Sequence, residues 1–263
     1  MRSWSHIYWT VLGLRLKSFV ANPVDSGLLM VSALLTDGVA LVFLWGIMLQ
    51  TPSLSGWDAR DVVLLYGFVT AGGGMTQLFF DGLWTISSGV HEGRFDYFLV
   101  RPVPILLSLV TNWMSPEGVG GILLGGTLIS FGLAEAPAAT VADACVVAAL
   151  FLSGVGVRVG ITLAVNALGF WAPGPTASSL GLVTEPVYDF ARFPLSTYPA
   201  GLGATLFSIV PLAFIAYVPA SFALDRELPA AAYMLSPVAS ACVCGIAWQT
   251  FRRGVRVYTS VGA

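Results

Sequence analysis

Apolar residues run along this chain in long unbroken stretches, and polar residues gather in short islands between them. Five stretches stand out: Ser26–Gln50, Val62–Ile86, Val119–Leu133, Val141–Phe170 and Ala230–Phe251. The third could begin as early as Ile105, with an interruption at Ser115-Pro116-Glu117-Gly118. A helical span needs about 20 apolar residues, whereas a barrel strand needs only about 10 with strict alternation. These runs are long and do not alternate, so the pattern predicts an all-α integral membrane protein.

The region from Ala172 to Leu228 is less regular, because Pro173, Pro175, Pro186, Pro194, Pro199, Pro211 and Pro219 interrupt it. The preferred reading makes Thr176–Phe193 a fifth span, with 194–224 a re-entrant helical hairpin before the sixth. The other reading makes Leu202–Leu224 the span and leaves 172–199 in the cytoplasm. In either case irregular backbone at membrane depth must be buried in protein or line a cavity.

Ahead of the first stretch, Trp4, Ile7, Tyr8, Val11, Leu14 and Phe19 recur at roughly helical spacing beside Arg2, Arg15 and Lys17. This predicts a helix in the membrane interface over residues 1–23, ended near Asn22-Pro23. Arg15 and Lys17 interrupt the apolar run, so a cleavable signal is not expected.

The densest polar island, Gly89–Pro102, joins the second and third stretches. It holds His91, Glu92, Arg94, Asp96 and Arg101 in a chain that is only 10% charged, and its Phe95, Tyr97, Phe98, Leu99 and Val100 supply an apolar side. That pairing suggests a docking surface. Placing both termini in the cytoplasm puts eight basic residues inside (Arg2, Arg15, Lys17, Arg94, Arg101, Arg252, Arg253 and Arg256) against two outside, Arg60 and Arg226. The positive-inside rule favours that orientation and makes the island, within a loop at 87–104, cytoplasmic. The chain then reads as one transmembrane domain, 1–263, in the cell's inner (plasma) membrane.

Composition agrees: 56% of residues are hydrophobic and the mean hydropathy is +0.82, well above a water-soluble domain. A net charge of −2 without a basic stripe argues against nucleic acid. Lys17 is the single lysine and follows Leu16, so the chain has no G-x-x-x-x-G-K-[ST] nucleotide loop. Cys145 stands alone, and Cys242 and Cys244 fall on different helix faces, which reads as small buried residues. His91 is followed four positions later by Phe95, not by a second histidine, and no G-x-S-x-G elbow occurs. No enzymatic activity and no metal site are therefore expected.

Charges inside the spans are costly and face protein or water. Asp37 and Arg158 lie about 17 Å and 18 Å from the cytoplasmic ends of their stretches at 1.5 Å per residue. Equal depth allows an ion pair, which would either fix helix packing or stand along a substrate path. Glu185 and Asp189, four apart, would form a polar stripe and a candidate portal, unless Arg192 neutralises it. Asp81 and Glu117 flank the island, as markers of the headgroup boundary or as tethers for the loop. Gly72-Gly73-Gly74, Gly121 with Gly125, and Gly156 with Gly160 mark expected close helix approaches.

Taken together, the layout resembles the permease subunits of ABC-2-type ABC exporters. The residues that carry the resemblance are the helical start ending at Asn22-Pro23, GRFDYFLVRP at Gly93–Pro102, FPLSTYP at Phe193–Pro199, IVPLAFIAYVPA at Ile209–Ala220, and WQTFRRGVRVY at Trp248–Tyr258. It covers essentially the whole chain, although Glu185–Arg192 is more polar than that family's fifth span. The resemblance implies an interfacial helix, six spans, a cytoplasmic coupling helix between spans two and three, and a re-entrant hairpin between spans five and six. It also implies outward, ATP-driven movement of an amphiphilic, lipid-like or drug-like substrate. The partners it implies are two copies of an ABC ATPase subunit, a second permease that is a copy or a related chain, and membrane lipids. ATP and Mg would sit on the ATPase, with no cofactor on this chain. Glu92, Arg94, Phe95, Asp96, Phe98 and Arg101 would couple to that ATPase, the aromatics filling a pocket and the charges pairing at its rim. The competing classes are a stand-alone secondary transporter or channel, and a scaffold that recruits a soluble partner.

Overall fold

The computed structural model describes residues 4–51, 53–134, 140–172, 175–226 and 228–259. Arg2 and Pro173 of the sequence reading lie outside them. Helix α1 (Trp4–Ala21) stops at Asn22, because the proline ring at 23 disfavours helical backbone in the residue before it. Asn22 sits at φ −121°, ψ 67°, and Pro23 opens α2 (Pro23–Gln50) at a position where its missing N–H costs nothing. A hairpin follows, with β1 (Ser53–Leu54) antiparallel to β2 (Trp57–Asp58) and Leu54 opposite Trp57. Its two central residues, Ser55 and Gly56, both have positive φ, 50° and 82°, as a tight right-twisted hairpin requires. These two short strands are the exception to the all-α expectation.

Helix α3 (Ala59–Phe80) begins where the Asp58 backbone N–H donates to Asp61 Oδ2 at 3.1 Å. It runs through a tight turn at Asp81–Trp84 into α4 (Thr85–His91). Next come α5 (Asp96–Leu99), α6 (Ile105–Asn112) and α7 (Glu117–Leu133). Helix α8 (Val141–Ala167) is opened by a reciprocal cap: the Asp143 N–H donates to Thr140 Oγ1 and the Thr140 N–H to Asp143 Oδ2. The chain then forms α9 (Pro175–Asp189), α10 (Ala200–Ser208), α11 (Tyr217–Ala223) and α12 (Ala230–Val257).

Among the described residues four helices are long and apolar enough to cross a membrane, at 23–50, 59–91, 141–170 and 230–257. They coincide with four of the five stretches. The third stretch is a bent pair, α6 and α7 meeting at 79°, which makes five spans if counted as one. Helix α9, at 15 residues, is about 22 Å long, short of a hydrocarbon core about 30 Å thick. Among the described residues the helices thus supply four or five spans, where the sequence reading expected six.

Helix α3 is central: 78% of its apolar window is buried, against 6% for α2. It packs most extensively on α7, and α8 on α12. Glycines set the first approach. A side chain on Gly118 would place its first carbon 2.6 Å from the Gly74 carbonyl oxygen, and one on Gly74 would meet the Gly118 oxygen at the same distance. The two backbones therefore touch, and the anticipated Gly121 lies on the same seam, where an added carbon would fall 3.0 Å from the Gly74 Cα. Apolar side chains divide into two groups. One joins α3 to α8 and the 212–220 segment, and the other joins α4, α5 and α6 to the C-terminal ends of α8 and α12.

Candidate functional site

Midway along the bundle, α2, α3, α7, α8 and α9 line a cavity of about 540 Å³. Four carboxylates (Asp37, Glu117, Glu185 and Asp189) and two guanidiniums (Arg158 and Arg192) line it. All four charged residues expected along a path are present, but Asp37 and Arg158 do not pair with each other. Arg158 Nη2 meets Glu185 Oε2 at 2.8 Å, and Arg192 Nη2 meets Asp37 Oδ1 at 3.5 Å. The reason is α9 and the turn after it, 190–192, which place Glu185 beside Arg158 and Arg192 beside Asp37.

Two tyrosines complete the arrangement. Tyr66 donates to the Asp37 carbonyl at 2.9 Å and accepts from Arg192 Nη1 at 3.0 Å, with the guanidinium 4.5 Å from its ring centre. Tyr188 donates to the Arg158 carbonyl at 2.9 Å and lies 2.8 Å from the Thr162 hydroxyl, its ring 4.0 Å beneath the Arg158 guanidinium. Arg158 is almost fully buried and lies against Gly73, where an added side-chain carbon would sit 3.2 Å from its Nη2. Arg192 also binds Asp189, at 3.1 Å, so the Glu185–Asp189 stripe is neutralised at one end. Tyr66, Tyr188 and Thr162 were not singled out by sequence reasoning. Buried tyrosines four residues from a membrane charge were the available signal for Tyr188, whereas nothing local marks Tyr66.

The island between α3 and α7 is built in two layers. Gly93, at φ +73°, ends the turn after α4 in a conformation that favours glycine, and the chain doubles back so that the Phe95 N–H reaches the Gly89 carbonyl at 3.0 Å. This turns Phe95 inward to 0% exposure, its ring 5.0 Å from Phe170 and 5.1 Å from Tyr258. Phe98 is buried beside it, 6.1 Å away. The expectation that Phe95 and Phe98 present an outward apolar face is corrected: both pack into the chain's own core, while Tyr97, Leu99 and Val100 face out.

The island's charges are engaged at home as well. Arg94 pairs with Glu92 at 2.5 Å, and Arg101 stacks 3.9 Å from the Tyr97 ring centre and donates to its hydroxyl. Asp96 acts on the Tyr258 hydroxyl, which burial first and then that carboxylate push up to about 12. Asp81 and Glu117 form no ion pair among the described residues. No group of three or more His, Cys, Asp or Glu side chains placed to hold a metal occurs among the described residues.

Several apolar helices around a charged cavity, with a folded polar island at one end, define a multi-pass helical membrane protein of the transport type. A family model described as ABC-2 family transporter protein matches residues 34–262, from mid-α2 past the end of α12. The chain belongs to the ABC-2 transporter family, as a membrane permease subunit of an ABC transporter. No curated protein and no solved structure matches it.

Proposed function

We propose that this permease is half of the membrane pore of an ATP-driven exporter, moving an amphiphilic, lipid-like or drug-like substrate outward. A second permease, a copy or a relative, completes the pore, and two separate ATPase subunits hold ATP and Mg. Both termini and the 87–104 loop lie in the cytoplasm of a cell whose inner membrane holds the complex, and α1 lies in the interface. Six spans follow if α6–α7 counts as one and α9 with its following turn as another, leaving 194–224 as the re-entrant element.

The observation that carries the reading is the two-sided island. Tyr97, Leu99 and Val100 are 54%, 43% and 80% exposed, while Phe95 and Phe98 lock the same short helix to the ends of α8 and α12. A force applied to the exposed side by a closing ATPase would reach two membrane helices through packed rings. Glu92, Arg94, Asp96 and Arg101 then position this surface and its rim. Within the complex, the charged cavity of Asp37, Arg158, Glu185 and Asp189 is the substrate path.

The test is Tyr97→Ala combined with Val100→Asp. The double variant is expected to insert and melt like the parent chain, to lose co-purification of a P-loop ATPase from native membranes, and to lose ATP-driven efflux in inverted vesicles. Retained ATPase capture and normal efflux would overturn the reading.

A further inference from the structure

A second cavity, of about 600 Å³, opens where α3 passes into α4, beside the island. Its volume falls in the range of small-molecule pockets. Trp84, Tyr97, Phe98 and Trp113 contribute aromatic surface to its walls, and its lining holds one carboxylate, Asp81. Among the described residues the Asp81 carboxylate has neither an ion pair nor a hydrogen bond, although the side chain is partly withdrawn from solvent. A partly desolvated acid without a partner is relieved either by a proton or by a cation supplied from outside, and the aromatic walls suit the cation. Aromatic faces attract cations as well, more strongly where water is displaced.

Three positive groups stand near it, and each has a partner of its own: Arg15 donates to the Asn112 carbonyl at 2.6 Å. Arg94 reaches the lining, but its charge is taken by Glu92 at 2.5 Å. Arg101 is stacked on Tyr97 and is not part of the cavity wall. Deeper in, Gln77, one turn before Asp81, lines the charged cavity, where four carboxylates outnumber two guanidiniums. Negative charge thus continues from the aromatic cavity toward the middle of the bundle.

We propose that the aromatic cavity is the uptake site for a monovalent amphiphilic organic cation, whose hydrocarbon body lies against Trp84, Phe98 and Trp113 while Asp81 supplies the counter-charge. The assignment rests on the export reading above and names its substrate class. A neutral or anionic lipid-like cargo would leave Asp81 without a partner.

The experiment measures equilibrium binding of tetraphenylphosphonium to the purified full chain in nanodiscs of zwitterionic lipid. Tetraphenylborate, of matching size and opposite charge, is titrated in a separate sample. Saturable binding of the phosphonium is expected, and none of the borate. It should weaken about tenfold or more in Asp81→Asn and in Trp113→Leu, and stay unchanged in Asp25→Asn, an exposed acid on the first turn of α2. Trp113 is 55% exposed, so its replacement reads the site even where Asp81→Asn expresses poorly. Absence of saturable binding, equal binding of the borate, or full affinity in both cavity variants would overturn the assignment. Because the assay contains no ATPase and no ATP, those results would leave the export reading intact. Conversely, an unsubstituted chain that binds the phosphonium but captures no ATPase and supports no ATP-driven efflux would sink export alone.

Discussion

Replacing Phe95 by alanine should damage the fold before it damages any partner contact. The ring is 0% exposed and makes edge-on contacts with Phe170 and Tyr258, at 5.0 Å and 5.1 Å, and a tilted one with Phe98 at 6.1 Å. Truncating a buried phenylalanine costs about 3–5 kcal/mol, through lost transfer energy and the cavity left behind. For a chain of this size each kcal/mol shifts the melting midpoint by about 2–4 °C, so a drop of roughly 6–20 °C is expected. The measurement is a thermal melt of detergent-solubilised protein, followed by the monodisperse peak on size exclusion. Phe95→Leu should lose less than half as much, and Val100→Ala, at an 80% exposed position, should stay within about 0.5 kcal/mol of the parent. A Phe95→Ala protein that melts with the parent would refute the inward placement of this ring and return it to the partner-facing surface.

Other perturbations read the helix seams and the charged cavity. Gly118→Ala forces its new carbon to within 2.6 Å of the Gly74 oxygen and 2.7 Å of the Leu78 nitrogen, so α3 and α7 must part at a cost of about 1–3 kcal/mol, visible as a lowered melt. Gly126→Ala, with nothing within 4 Å of the new carbon, should instead be neutral or gain up to about 1 kcal/mol by the same assay. In double-mutant cycles on melting free energy, Asp37→Asn with Arg192→Gln and Glu185→Gln with Arg158→Gln should each show coupling of about 0.5–3 kcal/mol. Asp37→Asn with Arg158→Gln should come closer to additivity, and stronger coupling there than in the other two pairs would contradict the observed pairing.

The long helices were readable because burial in lipid demands uninterrupted apolar length, a constraint that acts residue by residue along α2, α3, α8 and α12. The glycine seams were readable for a similar reason: Gly74, Gly121 and Gly125 leave a local signature of smallness whatever their partner is, although Gly118, which also meets Gly74, reads only as part of an interruption. Pairings across the bundle left no such trace. Asp37 and Arg158 have equal depth, yet each takes a partner from α9 or the turn that follows it, a segment whose placement depends on tertiary packing and not on its own composition. The island failed in a different way. Five apolar residues within six positions looked like one face, but a single reversal at Gly93 sends Phe95 and Phe98 inward and leaves Tyr97, Leu99 and Val100 outside. Nothing in the local pattern distinguishes those two sets, because the surfaces that receive Phe95, at Phe170 and Tyr258, lie far away in sequence.

Helix α2 combines the barest surface of the long helices with a wall of the charged cavity. It is fastened at its far end by Leu44 and Met48, against Gly120 by Met30 and Leu34, and to the cavity by Asp37 with Tyr66 and Arg192. Few attachments mean a low free energy of local opening, so its mid-section should exchange amide hydrogens ahead of α3. The charged cavity is thus walled on one side by the helix easiest to displace, so an opening of the cavity should begin with a movement of α2.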